Sequence, residues 1–417
     1  MRATLALIPS MGLLLMVGFL WGWRKANPKM NPGHLSHRAS RALQPTVTTH
    51  HVQGHLRGQA PPLTEGYSAE GPSQMDYNRS LAVGTSKSVS QLHSNRTPIS
   101  NPLEQGIFWS QEVEWSLPQG FPEENVLRWQ KSARTAFIVS LEKGCGRSTN
   151  RLATLSDGSR VCVRYGINPE QIQGEVLSFY LSRLLGLRGV PPCVLSKVGS
   201  APWSPVQAKL ASAGWEPGSI VSLTPWVQNL STVLPPRALR AEDGQLRPLK
   251  DELRSDLEDT VELAQWGDLI IFDFLTANFD RLVSNMFSLQ WDPRVMQRGT
   301  NNLHRTPDGT LVLLDNEAGL FHGYRLRDTW DKYNKQLLET VCMFRRGVAH
   351  RLREFHVEQN TAQELHSLYV HSEPMAEELG LLSEAEAQVL QERVGLLYRH
   401  ILNCQDRYKN TITLRPA

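Results

Sequence analysis

Asp280 is followed at a five-residue offset by Asn285, and Asp315 stands at the end of the apolar run 311–314. Two carboxylates and a carboxamide in that order suit phosphoryl transfer, in which one loop carboxylate orients the attacking hydroxyl and further oxygen donors hold a divalent ion. The same reaction needs a glycine-containing turn over the phosphates and a strand cation paired with a helix carboxylate. Gly144 and Gly146 border a turn, Arg164 ends an alternating stretch, and Glu175 rides in the first turns of the helix predicted next. Asp273 and Asn278 repeat the five-residue offset, but Asp273 falls within a helical period whereas Asp280 lies in the loop after it. Each group alone has an ordinary reading: a hairpin turn for the glycines, a structural ion pair for Arg164 and Glu175, a turn or cap for Asp315. Their shared order along the chain is what points to one site.

The elements that must position these groups follow from periodicity. Residues 136–141, 151–155 and 159–165 read as short strands, with turns at Gly144-Cys145-Gly146 and Asp157-Gly158. In the third, Val161, Val163 and Tyr165 alternate with Cys162 and Arg164, so Arg164 projects from the face opposite the valines. Asn168-Pro169-Glu170 is a helix start, Val176, Leu177, Tyr180, Leu181, Leu184 and Leu185 recur at helical spacing, and Gly186 closes the element. Residues 219–224 read as a further strand, and 229–249 as a polar, proline-containing linker. Beyond it Leu263, Trp266, Leu269, Ile270 and Phe274 form a helical stripe ending at 277–281. A hairpin turning at Pro307-Asp308-Gly309 then delivers Asp315, and everything after Asp331 reads as helix, with a capping box at Ser383 and Glu386.

The chain has 417 residues, 44 Lys plus Arg against 41 Asp plus Glu, and 40% apolar residues. A formal charge of +3 gives no sustained positive field, which argues against nucleic acid as a partner. Residues 5–23 carry no charge and would rise about 28 Å as a helix, close to a bilayer's hydrocarbon thickness. The run ends in Trp21-Gly22-Trp23-Arg24 without a small-x-small pair, which favours a retained signal anchor over a cleaved leader. Arg24, Lys25 and Lys29 downstream would put the bulk of the chain in the cytosol by the positive-inside rule. The sequons at Asn78, Asn95 and Asn229 argue for the luminal side. Residues 26–102 are rich in Gly, Pro, Ser, Thr, Asn, Gln and His, show no period, and read as a disordered stem. Cys145, Cys162, Cys193, Cys342 and Cys404 match no zinc spacing, leaving two disulfides with one spare thiol, or five buried thiols in a reducing compartment.

Five blocks carry a resemblance: residues 144–147, 165–175, 278–285, 287–293 and 314–319 resemble the four-jointed box proteins, a family within the atypical kinases of the secretory pathway. The resemblance covers about residues 106–408 and implies an α+β, atypical protein-kinase-like fold of two lobes, a small β-rich N-lobe with one main helix and a larger helical C-lobe. The expected organisation is an anchor over 1–25, a luminal stem over 26–105, an N-lobe over 106–228 and a C-lobe over 229–417. It further implies a type II Golgi membrane protein, sometimes released by cleavage, that transfers phosphate from ATP, with Mn²⁺ or Mg²⁺, to Ser or Thr of Fat- and Dachsous-type cadherin repeats and tunes their binding in planar cell polarity. By the same resemblance Asp280 is the catalytic-loop Asp, Asp315 and Asn285 are metal ligands, and Gly144, Gly146, Arg164 and Glu175 serve the nucleotide. A Cys342–Cys404 bridge is implied in the helical lobe, and Cys145–Cys162 across the hairpin is the second pairing expected.

Two departures from ordinary kinases stand out. Arg164 replaces the strand Lys, and the 35-residue separation of Asp280 and Asp315 implies an insertion. They keep open a pseudokinase or secreted ligand that binds cadherin ectodomains without catalysis. A Golgi glycosyltransferase would share the anchor and stem but often holds its metal with D-x-D, which this chain lacks.

Overall fold

The computed structural model describes Ile99 and residues 101–413, apart from 243–244 and 254–255. The anchor expected over 5–23, most of the stem, and the sequons at Asn78 and Asn95 lie outside the described residues. Among the described residues no helix is long and apolar enough to cross a membrane.

A two-stranded ribbon comes first, β1 (Leu103–Glu104) with β2 (Phe108–Trp109), followed by helices α1 (Gln111–Ser116) and α2 (Glu123–Thr135). Burial begins before Gly106, since Ile99 and Leu103 are already core residues. The upper lobe is a five-stranded antiparallel sheet of β3 (Ile138–Lys143), β4 (Arg151–Leu155), β5 (Arg160–Arg164), β6 (Val194–Lys197) and β7 (Ile220–Pro225), in the order β3-β4-β5-β7-β6. Val161, Val163, Leu155, Ile138 and Leu223 bury one face against Trp203 and Trp215, which follow β6. Arg164, paired with Ser222 of β7, faces the other way, as the alternation requires.

On that other side lies α3 (Pro169–Leu184), begun by Asn168, whose side chain accepts from the Gln171 N–H, with Pro169 at the first position. Its residues from Gln171 to Ser182 are all buried, because the helix is wedged between the sheet and the lower lobe. Gly174 makes the closest approach: a Cβ there would sit 2.9 Å from the Glu317 carbonyl oxygen and 3.1 Å from that of Gly319. The helix can therefore press its backbone onto the loop that carries Asp315.

The lower lobe is helical around α5 (Leu257–Thr276), which comes after the short α4 (Gln207–Ala213) of the upper lobe. Asp256 caps α5 by accepting from the Glu258 N–H, and the helix stops where Ala277 turns left-handed at φ 51°. Next come α6 (Leu282–Ser288), α7 (Phe321–Arg325), α8 (Arg327–Glu339), α9 (Arg346–Glu358), α10 (Thr361–Ser372), α11 (Ala376–Leu379) and the long α12 (Glu384–Thr413). Ser383 and Glu386 form the expected reciprocal cap at the start of α12. The segment expected to be a linker is partly ordered: β8 (Ser231–Thr232) joins β9 (Leu303–Arg305) and β10 (Leu311–Leu313) in a small sheet of order β10-β9-β8. Its pairing ends before Pro235 and Pro236, which have no N–H to give a ladder, while Val233, Leu239 and Leu249 bury apolar side chains.

Disulfides close both lobes. Cys145 is bonded to Cys162, stapling the glycine turn to β5, and Cys342 to Cys404, tying the segment after α8 to α12. Cys193 is a buried thiol. Asn229, the one described sequon, sits exposed in a left-handed bend, where a glycan would displace no packing.

Candidate active site

The site is assembled on a buried guanidinium. Arg281, 0% exposed, forks onto Asp273 of α5, with Nη2 donating to Oδ1 at 2.6 Å and Nε to Oδ2 at 3.0 Å. Its remaining donors reach across to the strand end that carries Asp315: Nη1 to the Leu314 carbonyl at 2.8 Å and Nη2 to Asn316 Oδ1 at 3.0 Å. One side chain thus ties α5, the loop holding Asp280, and the loop holding Asp315. The forked donor geometry is specific to Arg. It also sets the two Asp-x4-Asn pairs apart: Asp273 is engaged by Arg281 inside a helix, and Asp280 is not.

Asp280 is positioned by its neighbours. Its N–H donates to Asn278 Oδ1 at 2.9 Å, a local turn that sets the loop, and Asn302 Nδ2 donates to Asp280 Oδ2 at 3.1 Å. Burial first, and the charge of Asp315 second, push the Asp280 carboxyl up to about 6. A carboxyl tuned upward is a better proton acceptor at neutral pH. Asp315 adopts φ 55°, ψ 63°, a left-handed conformation that Asp tolerates better than most residues, and this turns the chain sharply after β10.

Arg164 and Glu175 form the ion pair the sequence suggested, and each has a second, closer partner on the loop of Asp315. The Arg164 Nε to Glu175 Oε1 separation is 3.9 Å, whereas Arg164 Nη1 contacts Asp315 Oδ1 at 2.6 Å. Glu175 Oε2 accepts the Asn316 N–H at 2.6 Å, gripping the backbone next to Asp315. The longer Arg side chain overreaches the position at which a Lys would meet the helix carboxylate. Burial opposes the Arg164 charge, but Asp315 and then Glu175 more than offset this and hold it cationic. Burial pushes Glu175 up, against the pull of Arg164. Arg164 Nε is buried without a hydrogen-bond partner among the described residues, a donor left over for an anion.

The glycine turn also belongs here. Gly146 at φ 83° and Cys145 at φ 62° shape it, and Asn150 Nδ2 donates to the Cys145 carbonyl at 3.0 Å. Gly144 packs against Leu152 of the neighbouring strand. Arg147, the next residue of the turn, forms an ion pair with Glu317, whose carboxyl burial and then Asp315 push up to about 8. The structure therefore brings the turn, Arg164, Glu175, Asp280 and Asp315 to one place. Asn285 lies buried in α6, and its carboxamide makes no hydrogen bond to a described residue.

Arg281, Asn316, Glu317, Arg147 and Asn302 are not singled out by the sequence. The first four adjoin residues that are, so proximity in the chain is their signal, whereas Asn302 meets Asp280 only through the fold.

A divalent ion fits the donor chemistry of this place. Asp315, Asp280 and Glu317 offer hard oxygen donors of the type that Mg²⁺ and Mn²⁺ take, and Asn285, in the helix that follows the Asp280 loop, has its carboxamide uncommitted among the described residues. The one group of His, Cys, Asp or Glu among the described residues whose ligand atoms already converge within 4.8 Å is Cys342, His400 and Cys404, where the two sulfurs are bonded to each other.

Comparison with known proteins adds the following. The family model "Four-jointed box protein middle domain" matches residues 124–407. "Four-jointed box protein 1" of Homo sapiens is 56% identical over 311 residues, 73% of this chain and 71% of that protein. The "Extracellular serine/threonine protein kinase four-jointed" of Drosophila melanogaster is 28% identical over 403 residues, 81% of this chain and 69% of that one. Among solved structures, hydra Fam20 with sugar superposes with TM-score 0.49 at 16% identity, covering 69% of this chain and 92% of that one. The Golgi casein kinase with Mn/ADP bound gives TM-score 0.47 at 13% identity, covering 71% and 81%.

Proposed function

The chain belongs to the four-jointed box protein family, and on that premise we propose that it is a Golgi luminal protein Ser/Thr kinase acting on extracellular cadherin domains of Fat and Dachsous type. The kinase reading is supported by the Drosophila melanogaster relative, an extracellular serine/threonine protein kinase. The observation that carries it is the placement of Asp280, its backbone N–H donating to Asn278 and its carboxylate accepting from Asn302, beside the loop of Asp315 and Arg164.

In this reading Asp280 accepts the proton of the acceptor hydroxyl as its oxygen attacks the γ-phosphorus of ATP, and ADP leaves with the electron pair of the broken P–O bond. Asn302 steadies the Asp280 oxygen, and Arg281 keeps the two loops in register. Arg164, with a donor to spare, and the turn at Gly144 and Gly146 would serve the phosphates. Asp315 and Asn285 would hold Mn²⁺ or Mg²⁺, with Glu317 near at hand, and the ion would supply charge neutralisation to the phosphates. Glu175 fixes the Asn316 N–H and so the direction of Asp315.

Residues 5–23 would anchor the protein as a type II membrane protein, and glycans at Asn78, Asn95 and Asn229 would follow from the luminal orientation. Phosphate on the cadherin domains would tune their mutual binding in planar cell polarity.

A second reading draws on one contact. Arg164 neutralises Asp315, so a pseudokinase that binds cadherin ectodomains without catalysis is the competing function. Calorimetric titration of the full chain with ADP and Mn²⁺ separates the two. The kinase reading expects metal-dependent nucleotide binding that Asp315→Asn abolishes. Nucleotide binding indifferent to Mn²⁺ and to that substitution would leave the binding protein.

A further inference from the structure

Aromatic rings lead outward from Asp280. Phe279, its chain neighbour, stacks flat on Trp330 of α8 at 5.3 Å. Phe287 of α6 meets Trp330 edge-on at 5.0 Å and Trp291 at 4.8 Å, and Tyr333 flanks it at 6.0 Å. Trp330 is buried and anchors the group, Phe287 and Tyr333 are half-buried, and Trp291 is 67% exposed.

The backbone at Trp291 is held in place. Its backbone N–H donates to the Ser288 carbonyl at 3.0 Å, the Asp292 N–H donates to the same oxygen at 2.9 Å, and Arg298 pairs with Asp292. The indole above it rests edge-on against Phe287 and otherwise faces water, an exposure that gains nothing for the fold and offers large apolar contact area to anything that covers it. Cations border it: of the five Arg or Lys in segments 291–298 and 327–335, Arg298, Arg327 and Lys335 are matched by Asp292, Glu392 and Asp331, which leaves Arg294 and Lys332 without an ion-pair partner among the described residues. Lys332 Nζ stands 4.6 Å from the Tyr333 ring.

We propose that this platform docks the folded protein domain that carries the acceptor hydroxyl, through an apolar patch rimmed by carboxylates; the proposal rests on the kinase reading and names how its substrate is held. The acceptor oxygen must come within about 3 Å of Asp280 for the proton to move. A domain of about 100 residues has a radius of gyration of about 13 Å. The three ring contacts from Phe279 to Trp291, of 5.3, 5.0 and 4.8 Å, keep the platform within the reach of such a footprint. Continuity with the catalytic loop, through Phe279 beside Asp280, is what selects the domain carrying the acceptor hydroxyl as the occupant. Aromatic centre and charged rim are the usual division between affinity and steering at an interface.

The test uses the full chain as wild type, Trp291→Ala, Trp291→Phe and, as a control, Trp115→Ala, whose indole is 77% exposed and lies in α1. Tandem cadherin-repeat fragments are the probe. Their Kd is measured by calorimetry without nucleotide, their KM in phosphate transfer, and ATP KM with acceptor-free ATP hydrolysis in parallel. Trp291→Ala should raise both Kd and KM for the fragment about tenfold or more, as loss of a central interface Trp does. It should leave ATP KM and acceptor-free hydrolysis unchanged, with Trp291→Phe retaining most of the affinity and Trp115→Ala matching wild type. Unchanged Kd and KM in Trp291→Ala would overturn the proposal, as would wild-type protein that binds none of the fragments. An equal shift in ATP KM would also overturn it, by showing that Trp291 shapes the nucleotide site. Should wild type bind the fragments through Trp291 yet transfer no phosphate, the docking surface stands and the kinase reading fails.

Discussion

Replacing Asp280 by Asn should kill phosphate transfer and at the same time make the protein more stable. The folded carboxyl is pushed up to about 6 from 3.8, by burial and by Asp315. At 1.36 kcal/mol per pH unit the ionised form costs the fold about 3 kcal/mol at pH 7, reduced to about 2–3 kcal/mol because the side chain is only part-buried. The sign follows from the direction of the shift: the folded state binds the Asp280 proton more tightly than the unfolded chain. Wild type therefore has this stability in full below about pH 4 and loses it as pH rises to about 6. In the Asp280→Asn variant the carboxamide oxygen still accepts from Asn302 and never ionises, so the variant should exceed wild type by about 2–3 kcal/mol at pH 7 and converge on it toward pH 4. Urea unfolding of both proteins from pH 4.5 to 7.5, in EDTA to exclude metal, measures the gap. A variant less stable than wild type at pH 7, or a gap that does not change with pH, would refute the electrostatic account of the site.

Arg281→Ala should cost about 3–5 kcal/mol, because it strands the Asp273 carboxylate in the core, and Asp273→Asn added to it should recover part of the loss in the same denaturation assay. Cutting the Cys342–Cys404 bridge, whose partners are 62 residues apart, should cost about 4 kcal/mol by loop entropy. Cutting Cys145–Cys162, 17 apart, should cost about 3 kcal/mol and raise the KM for ATP, since it frees the glycine turn. Gly174→Ala pushes a methyl to 2.9 Å from the Glu317 carbonyl, so it should destabilise by about 1–3 kcal/mol and lower kcat more than it raises KM, by shifting Asp315.

Elements with long periodic patterns are readable from the sequence, and so is the order of the acidic loops. The helix from Asn168 to Gly186 announces itself by its cap, its Pro and its closing Gly, and the β9–β10 hairpin by Asp308-Gly309. Strand β6 is not legible, because four residues after Pro191-Pro192 carry too short a pattern. Helix α2 is hidden for a different reason: Pro122 offers no side-chain cap, and its core-facing stripe of Val126, Trp129 and Ala133 is short and interrupted by Gln130. At the site, residue types give Asp280, Asp315, Arg164 and Glu175. They do not give the added contacts in which Arg164 also takes Asp315 and Glu175 also takes the Asn316 N–H, since those depend on how far α3 is pressed onto the loop at Gly174. Arg281 stays hidden because its partners Asp273 and Asn316 lie on separate elements and no spacing rule joins them.

The central claim is that Asp280 transfers a proton from a Ser or Thr hydroxyl in a phosphotransfer site. Intact mass of cadherin-repeat fragments after incubation with the full chain, ATP and Mn²⁺ tests it most directly, with Asp280→Asn in parallel. The account predicts added phosphate with wild type and none with the variant, although the variant still binds the fragments. Phosphate added equally by both, or by neither while both bind, would contradict it.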